Sequence, residues 1–278
     1  MSKIRFGFVT SVRLGLSCMK AIYDSGNKLS LVVTLPDNIS TKKVGRVFLD
    51  DFCSHHYIPL IKSHHINNKE IINLIKKNKI DWLFIIGWSQ IASPKILQSV
   101  KYGVIGAHPT LLPIGRGRSP IPWTILKKLN HTGVTFFKID QGVDTGPILI
   151  QDSINIDDAE TATSLYDKIE KLHFLLTKKL ISLLILNNIN LIEQNESFAT
   201  VWPSRRPEDG EINIFESVWE AERLIRAVTK PYPGAFYFES NKKIIIWKAR
   251  VSKEKSLNKK FLQFKDGFLI LEDYDIIC

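Results

Sequence analysis

Cysteine is scarce in this chain, and Cys18, Cys53 and Cys278 are widely scattered and odd in number. That pattern argues against a disulfide framework and supplies no Cys-x-x-Cys spacing for zinc. Long apolar runs are also missing: Phe174 to Leu186 is broken by Lys178 and Lys179, so no stretch reads as a membrane span. The N-terminus lacks the basic start, apolar stretch and small-residue cleavage site of a signal peptide, which predicts a cytoplasmic, soluble protein with no membrane partner. No Gly-x-Gly-x-x-Gly follows the first apolar run, so a nicotinamide or flavin dinucleotide site is not supported. The histidine pairs His55-His56 and His64-His65 have no carboxylate or cysteine at a helical ligand spacing, and no metal is expected. Internal repeats and low-complexity segments are absent.

What is present is an ordinary globular composition: 278 residues, 44% apolar, enough for one large or two modest domains. The formal charge of +10 raises affinity for nucleic acid, anionic membranes and phosphorylated small molecules alike, and does not choose among them.

Ile4 to Val9 is a short apolar run followed by Thr10, Ser11 and a periodic stretch with Leu16, Met19, Ile22 and Tyr23 on one face. This predicts strand, tight turn and helix, and Leu29 to Thr34 completes a βαβ unit. A basic amphipathic helix at Asn67 to Lys79 precedes the near-continuous apolar run Trp82 to Ile86, the mark of a buried parallel strand. Further strands are expected at Val104 to Ala107, Val134 to Ile139 and Ile148 to Ile156, with a helix at Ser119 to Leu129. One long helix is expected from Asp157 to about Asn188, carrying His173 as a satisfied core or boundary residue without a role. After Trp202 the composition shifts to a charged turn, a helix at Phe215 to Thr229 and strands at Ile244 to Lys248 and Phe268 to Leu271. Lys253 to Lys260 reads as a solvated loop. The expected fold is α/β, an open doubly wound, mostly parallel sheet over residues 1–200, with a small β-rich C-terminal domain over residues 201–278.

The stretch from Gly103 to Gly146 concentrates the residues suited to chemistry. His108 follows a predicted strand, and Asp144 lies in the turn Gly142 to Gly146 after another strand; adjacent strand ends in a doubly wound sheet can bring such residues together. An aspartate orients an imidazole and raises its basicity, as a proton acceptor for an attacking amine requires. An Asp that only caps its turn is the alternative. Arg116 and Arg118 sit in a glycine-containing loop and suit a carboxylate or phosphate, or are simply solvated.

The motifs His108 to Gly117 (HPTLLPIGRG), Thr132 to Thr135 (TGVT) and Asp144-Thr145-Gly146 resemble those of the folate-dependent formyltransferases, with their Asn-x-His, SLLPxxRG, TGVT and DxG pattern. The resemblance extends through Phe84 to Pro94, RRPEDGEI at Arg205 to Ile212, LIRAVTKPYPGAF at Leu224 to Phe236, and IIIWKA. It implies formyl transfer from N10-formyltetrahydrofolate to a primary amine, with His108 and Asp144 catalytic. It puts Ile86, Trp88, Leu112, Arg116, Asp140, Gly142 and Val143 on the folate side. The family's asparagine position is Gly106 here. Its amide would donate to the oxygen that becomes negative in the tetrahedral intermediate, and losing one such donor costs about 100-fold to 1000-fold in turnover. Protonated His108, a backbone N–H, a water, Thr110 or Thr135 are the candidates to replace it.

Two acceptors compete. Positive charge favours methionyl-tRNA, but the segment after the second strand carries only Lys42, Lys43 and Arg46 as a basic group, and the C-terminal part is small for gripping tRNA. RRPEDG and PYPGAF resemble the enzymes that formylate UDP-linked 4-amino-4-deoxyarabinose and related 4-amino sugars, of the kind that serve polysaccharide biosynthesis. That resemblance favours a nucleotide-linked amino sugar over nucleic acid. Arg205 and Arg206 would face the diphosphate, Thr10, Ser11, Arg13 and Thr110 the sugar or phosphates, in a homodimer. A non-catalytic folate or sugar-nucleotide binding protein, suggested by Gly106, is the third reading.

Overall fold

The computed structural model describes residues 4–40 and 44–277. Lys42, Lys43 and Cys278 lie outside them. The strands are β1 (Phe6–Val9), β2 (Leu29–Thr34), β3 (Leu60–Lys62), β4 (Trp82–Ile86), β5 (Gly103–His108), β6 (Arg116–Gly117), β7 (His131–Lys138), β8 (Ile148–Asn155), β9 (Val201–Trp202), β10 (Ala235–Glu239), β11 (Lys242–Ser252), β12 (Phe261–Phe264) and β13 (Gly267–Ile277). The helices are α1 (Arg13–Asp24), α2 (Asp37–Ser40), α3 (Asp50–His55), α4 (Lys69–Lys77), α5 (Pro94–Leu97), α6 (Pro120–Leu126), α7 (Ala162–Ile185) and α8 (Val218–Val228).

The described chain forms two compact units. The first comprises the residues up to Gly117, Gly133–Ile154 and Lys168–Val201. The second comprises Arg118–Thr132, Asn155–Asp167 and the residues from Trp202 onward, so it takes two short segments from the middle of the chain along with the C-terminal part.

The first unit is built on a seven-stranded sheet of order β3-β2-β1-β4-β5-β7-β8. β1 pairs in parallel with β2 and β4, and β4 with β5, whereas β7 runs antiparallel to β5. Every residue of β1 and β4 is buried, as strands covered on both faces require. At their centre the Phe8 and Phe84 rings stack with centroids 5.5 Å apart. The three-residue β3 carries too few residues to show a period, so its pattern is not readable from sequence.

α4 buries Ile71, Ile72 and Ile75 and turns Lys76 and Lys77 to solvent in its last turn, where they also suit the helix dipole. α7 begins at Ala162, later than the Asp157 expected, because residues 157–160 close a turn through Glu160 N to Asp157 O. Thr161 then caps the helix, its Oγ1 accepting from Ser164 N at 3.1 Å. His173 is buried in α7 as expected, its Nδ1 donating to Ile169 O at 2.8 Å. Burial pushes its pKa down to about 4.

The second unit contains an antiparallel sheet of order β10-β11-β13-β12 and the amphipathic α8, whose Val218, Ala221, Ile225, Ala227 and Val228 are buried. Asp266, in the β12–β13 turn, accepts from Val218 N and Ser217 Oγ at the start of α8. β10 and β12 go beyond the strands expected from sequence, because the exposed Phe238 and the Lys-rich approach to β12 blur their alternation. Residues 253–260 form a loop as expected.

Candidate active site

His108 is the last residue of β5 and is buried. Its Nε2 lies 2.8 Å from Gly115 O; a carbonyl only accepts, so Nε2 carries a proton and Nδ1 is the nitrogen left to take one. Asp144 Oδ2 stands 3.6 Å from Nδ1, an ion-pair distance rather than a hydrogen bond, and accepts from Gly117 N at 2.9 Å. The segment 115–117 therefore holds both members of the pair.

The route to this pairing differs from two neighbouring parallel strand ends. β7 is antiparallel to β5, and its end at Lys138 lies opposite Ile105, not His108. The loop after β7 brings Asp144 back against Gly117, with Asp144 itself in the left-handed region at φ +56°.

Gly106 sits directly opposite Phe137 in the β5–β7 pair. A Cβ at 106 would lie 2.8 Å from Phe137 Cζ and 3.0 Å from Ile139 Cγ1. The volume of a side chain at 106 is thus taken by an apolar ring, itself packed with Leu112, Ile148 and Ile139. Thr135 Oγ1 is already committed, accepting from Leu112 N and Gln151 Nε2 and donating to Thr110 O. Thr110 Oγ1 is buried without a hydrogen-bond partner, so of the two threonines only Thr110 retains a hydroxyl proton to give.

Arg116 is buried in β6, not displayed on a solvated loop. Its Nε and Nη2 donate to Gln194 Oε1 at 3.1 and 2.8 Å, and its Nη1 and Nη2 to Glu196 at 2.8 and 2.6 Å. The Glu196 carboxylate holds the Arg116 pKa above its usual value. Gln194, which no sequence motif marks, donates from Nε2 to Asp144 O and Gly146 O. Its only sequence signal is its place beside Asn195 in the polar stretch Glu193 to Ser197.

The other candidates divide. Ile86 and Leu112 are buried, Trp88 donates from Nε1 to Gln90 Oε1, and Val143 is exposed. Asp140 Oδ1 accepts from Gly142 N and Thr145 Oγ1, tying the loop together, and a Cβ at Gly142 would collide with Thr145 Oγ1 at 2.0 Å. Thr10 and Ser11 are fully buried at the end of β1, and Ser11 Oγ has no partner. Arg13 is paired with Glu170. Arg205 and Arg206 belong to the second unit: Arg205 lies over the Trp123 ring at 5.1 Å, and Arg206 N donates to Asp209 Oδ2.

His55 and His56 pack in an aromatic cluster with Phe52 and Tyr23. Burial pushes the thiols of Cys18 and Cys53 up to about 12 and about 11, which leaves them unreactive. Among the described residues no helix is long and apolar enough to cross a membrane.

The formyl transferase pattern matches residues 19–179, and that of the formyl transferase C-terminal domain matches residues 205–276. The chain belongs to the formyl transferase family. It is 35% identical over 254 residues to the bifunctional polymyxin resistance protein ArnA of Wigglesworthia glossinidia brevipalpis, covering 91% of this chain but only 38% of that protein. It is 32% identical over 246 residues to the methionyl-tRNA formyltransferase of Alkaliphilus oremlandii (strain OhILAs), covering 88% of this chain and 79% of the relative. An N-formyltransferase from Helicobacter canadensis, solved with folinic acid and dTDP-3-aminofucose, shares the fold with a TM-score of 0.70 at 21% identity, over 98% of this chain and all of that one (100%). This family member has the mostly parallel sheet and the small C-terminal antiparallel sheet expected from its sequence.

Proposed function

We propose that this protein transfers a formyl group from N10-formyltetrahydrofolate to the amine of a nucleotide-linked amino sugar. The observation that carries the formyl-transfer reading is the His108–Asp144 pair, 3.6 Å apart in a family member matched across both of its formyl transferase regions. The amine nitrogen attacks the formyl carbon, and His108 Nδ1 takes the amine proton. Asp144 stabilises the resulting imidazolium, which returns the proton to N10 as the bond from carbon to N10 breaks and tetrahydrofolate leaves. Thr110 Oγ1 is the side chain we assign to the developing oxyanion in place of the missing asparagine, with a small local shift to expose it. Arg116 supports the loop instead of gripping folate, because its fork already serves Gln194 and Glu196.

The sugar acceptor rests on the RRPEDG and PYPGAF elements and the small C-terminal part. Arg205 and Arg206 are proposed for the diphosphate, and Thr10, Ser11 and Arg13 for the sugar side. The 32% identical methionyl-tRNA formyltransferase supports a second reading, with tRNA as acceptor. Incubating the protein with N10-formyltetrahydrofolate and either a panel of nucleotide-linked amino sugars or methionyl-tRNA, with products detected by mass, separates the two. Formylated sugar is expected. Formylated tRNA without sugar product overturns the acceptor assignment, and no formylated product at all overturns catalysis. The exposed Phe238, Ile276 and Ile277 of the C-terminal sheet support a homodimer, which size-exclusion chromatography with light scattering tests.

A further inference from the structure

We infer that Gln194 is a positioning residue for the His108–Asp144 pair; the inference rests on the formyl-transfer reading of that pair. Gln194 is 9% exposed, and both ends of its carboxamide are used. Nε2 donates to Asp144 O at 2.9 Å and to Gly146 O at 2.7 Å, while Oε1 accepts from Arg116 Nε at 3.1 Å and Nη2 at 2.8 Å.

What these bonds connect gives the residue its task. Arg116 lies between Gly115, whose carbonyl holds His108 Nε2, and Gly117, whose N–H holds Asp144 Oδ2. Gln194 is the brace that ties this segment to the turn carrying Asp144. That turn needs one: Asp144 adopts φ +56°, a conformation that a non-glycine residue keeps only when its surroundings fix it. Without the brace, the carboxylate relies on the Gly117 N–H and is free to drift from Nδ1.

The chemistry demands an amide. The turn presents two carbonyl acceptors and needs donors, whereas the guanidinium presents donors and needs an acceptor. A carboxylate at 194 would satisfy Arg116 but face Asp144 O and Gly146 O with a third acceptor. An apolar side chain would satisfy neither.

Gln194→Glu and Gln194→Met separate this role from general stability. Misplacing a reacting group by about 1 Å costs up to roughly 100-fold in rate. With the amino sugar identified by the acceptor panel, both variants are expected to lose about 10-fold to 100-fold in kcat. KM for donor and acceptor should stay within about threefold, because substrate contacts are untouched, and the pH profile of kcat should change shape. In protein carrying 15N-labelled histidine, the ring signals of His108, assigned through His108→Gln, should shift in Gln194→Glu. Wild-type kcat and pH profile in folded Gln194→Glu would overturn the inference, even if Gln194→Met fails to fold, because the Glu variant keeps the Arg116 anchor. If the wild-type chain transfers no formyl group, it is the formyl-transfer reading that fails. The His108 signals then decide the brace by themselves, and unshifted signals in Gln194→Glu refute it.

Discussion

Phe137 fills the volume beside Gly106 that a side chain there would need, its ring reaching within 2.8 Å of where a Cβ would stand. Restoring the family's asparagine by Gly106→Asn should therefore fail to restore anything. Overpacking a filled site costs typically about 1–3 kcal/mol, so melting temperature should drop and turnover should stay level or fall. A large gain in turnover would show that the ring yields readily and that the amide was missed. His108→Ala removes the proton acceptor and should lower kcat by about 100-fold to 10,000-fold, measured as formylated product per unit time. A near-normal rate would sink the assignment of His108. At this scale the sequence names His108, Asp144 and the Gly106 departure from motif order alone. It gives no hint of the roles of Phe137 or Gln194, because each acts through a contact made by folding.

α7 carries an imidazole where its neighbours are apolar, and this makes the helix a source of acid sensitivity. His173 is held at about 4 by burial, against an ordinary value of 6.5. Between those pH values the unfolded chain binds a proton that the folded chain refuses, so the contribution to stability is complete above pH 6.5 and declines as pH falls toward 4. At roughly 1.36 kcal/mol per pKa unit the decline amounts to about 3 kcal/mol. His173→Leu should flatten the dependence of denaturant-derived stability on pH across that window; an unchanged slope would assign the acid sensitivity to other groups. The existence of this element is legible from the 3.6-residue period of Leu165, Ile169, Leu172, Leu176 and Leu180, all buried in the helix. Its start is not, because Thr161 caps the helix through a side-chain bond that the acidic residues before it obscure.

Across the whole molecule the charge of +10 gives non-specific attraction to polyanions. Binding of tRNA is expected to be measurable at low salt and to collapse between about 50 mM and about 200 mM salt without yielding formyl-methionyl product. Turnover on the sugar acceptor should change far less, and salt-resistant tRNA binding with formylation would reverse the acceptor assignment. The sequence by itself determined the family, the order of the main strands and helices, and the motifs that carry His108 and Asp144, because motif spacing and apolar periodicity are local properties of the chain. Tertiary structure alone decided that β7 turns antiparallel to β5, that Arg116 is spent on Gln194 and Glu196, and that the second unit draws on segments from before Trp202. Each of those depends on which distant groups meet, and burial makes every polar group choose a partner that no local pattern records.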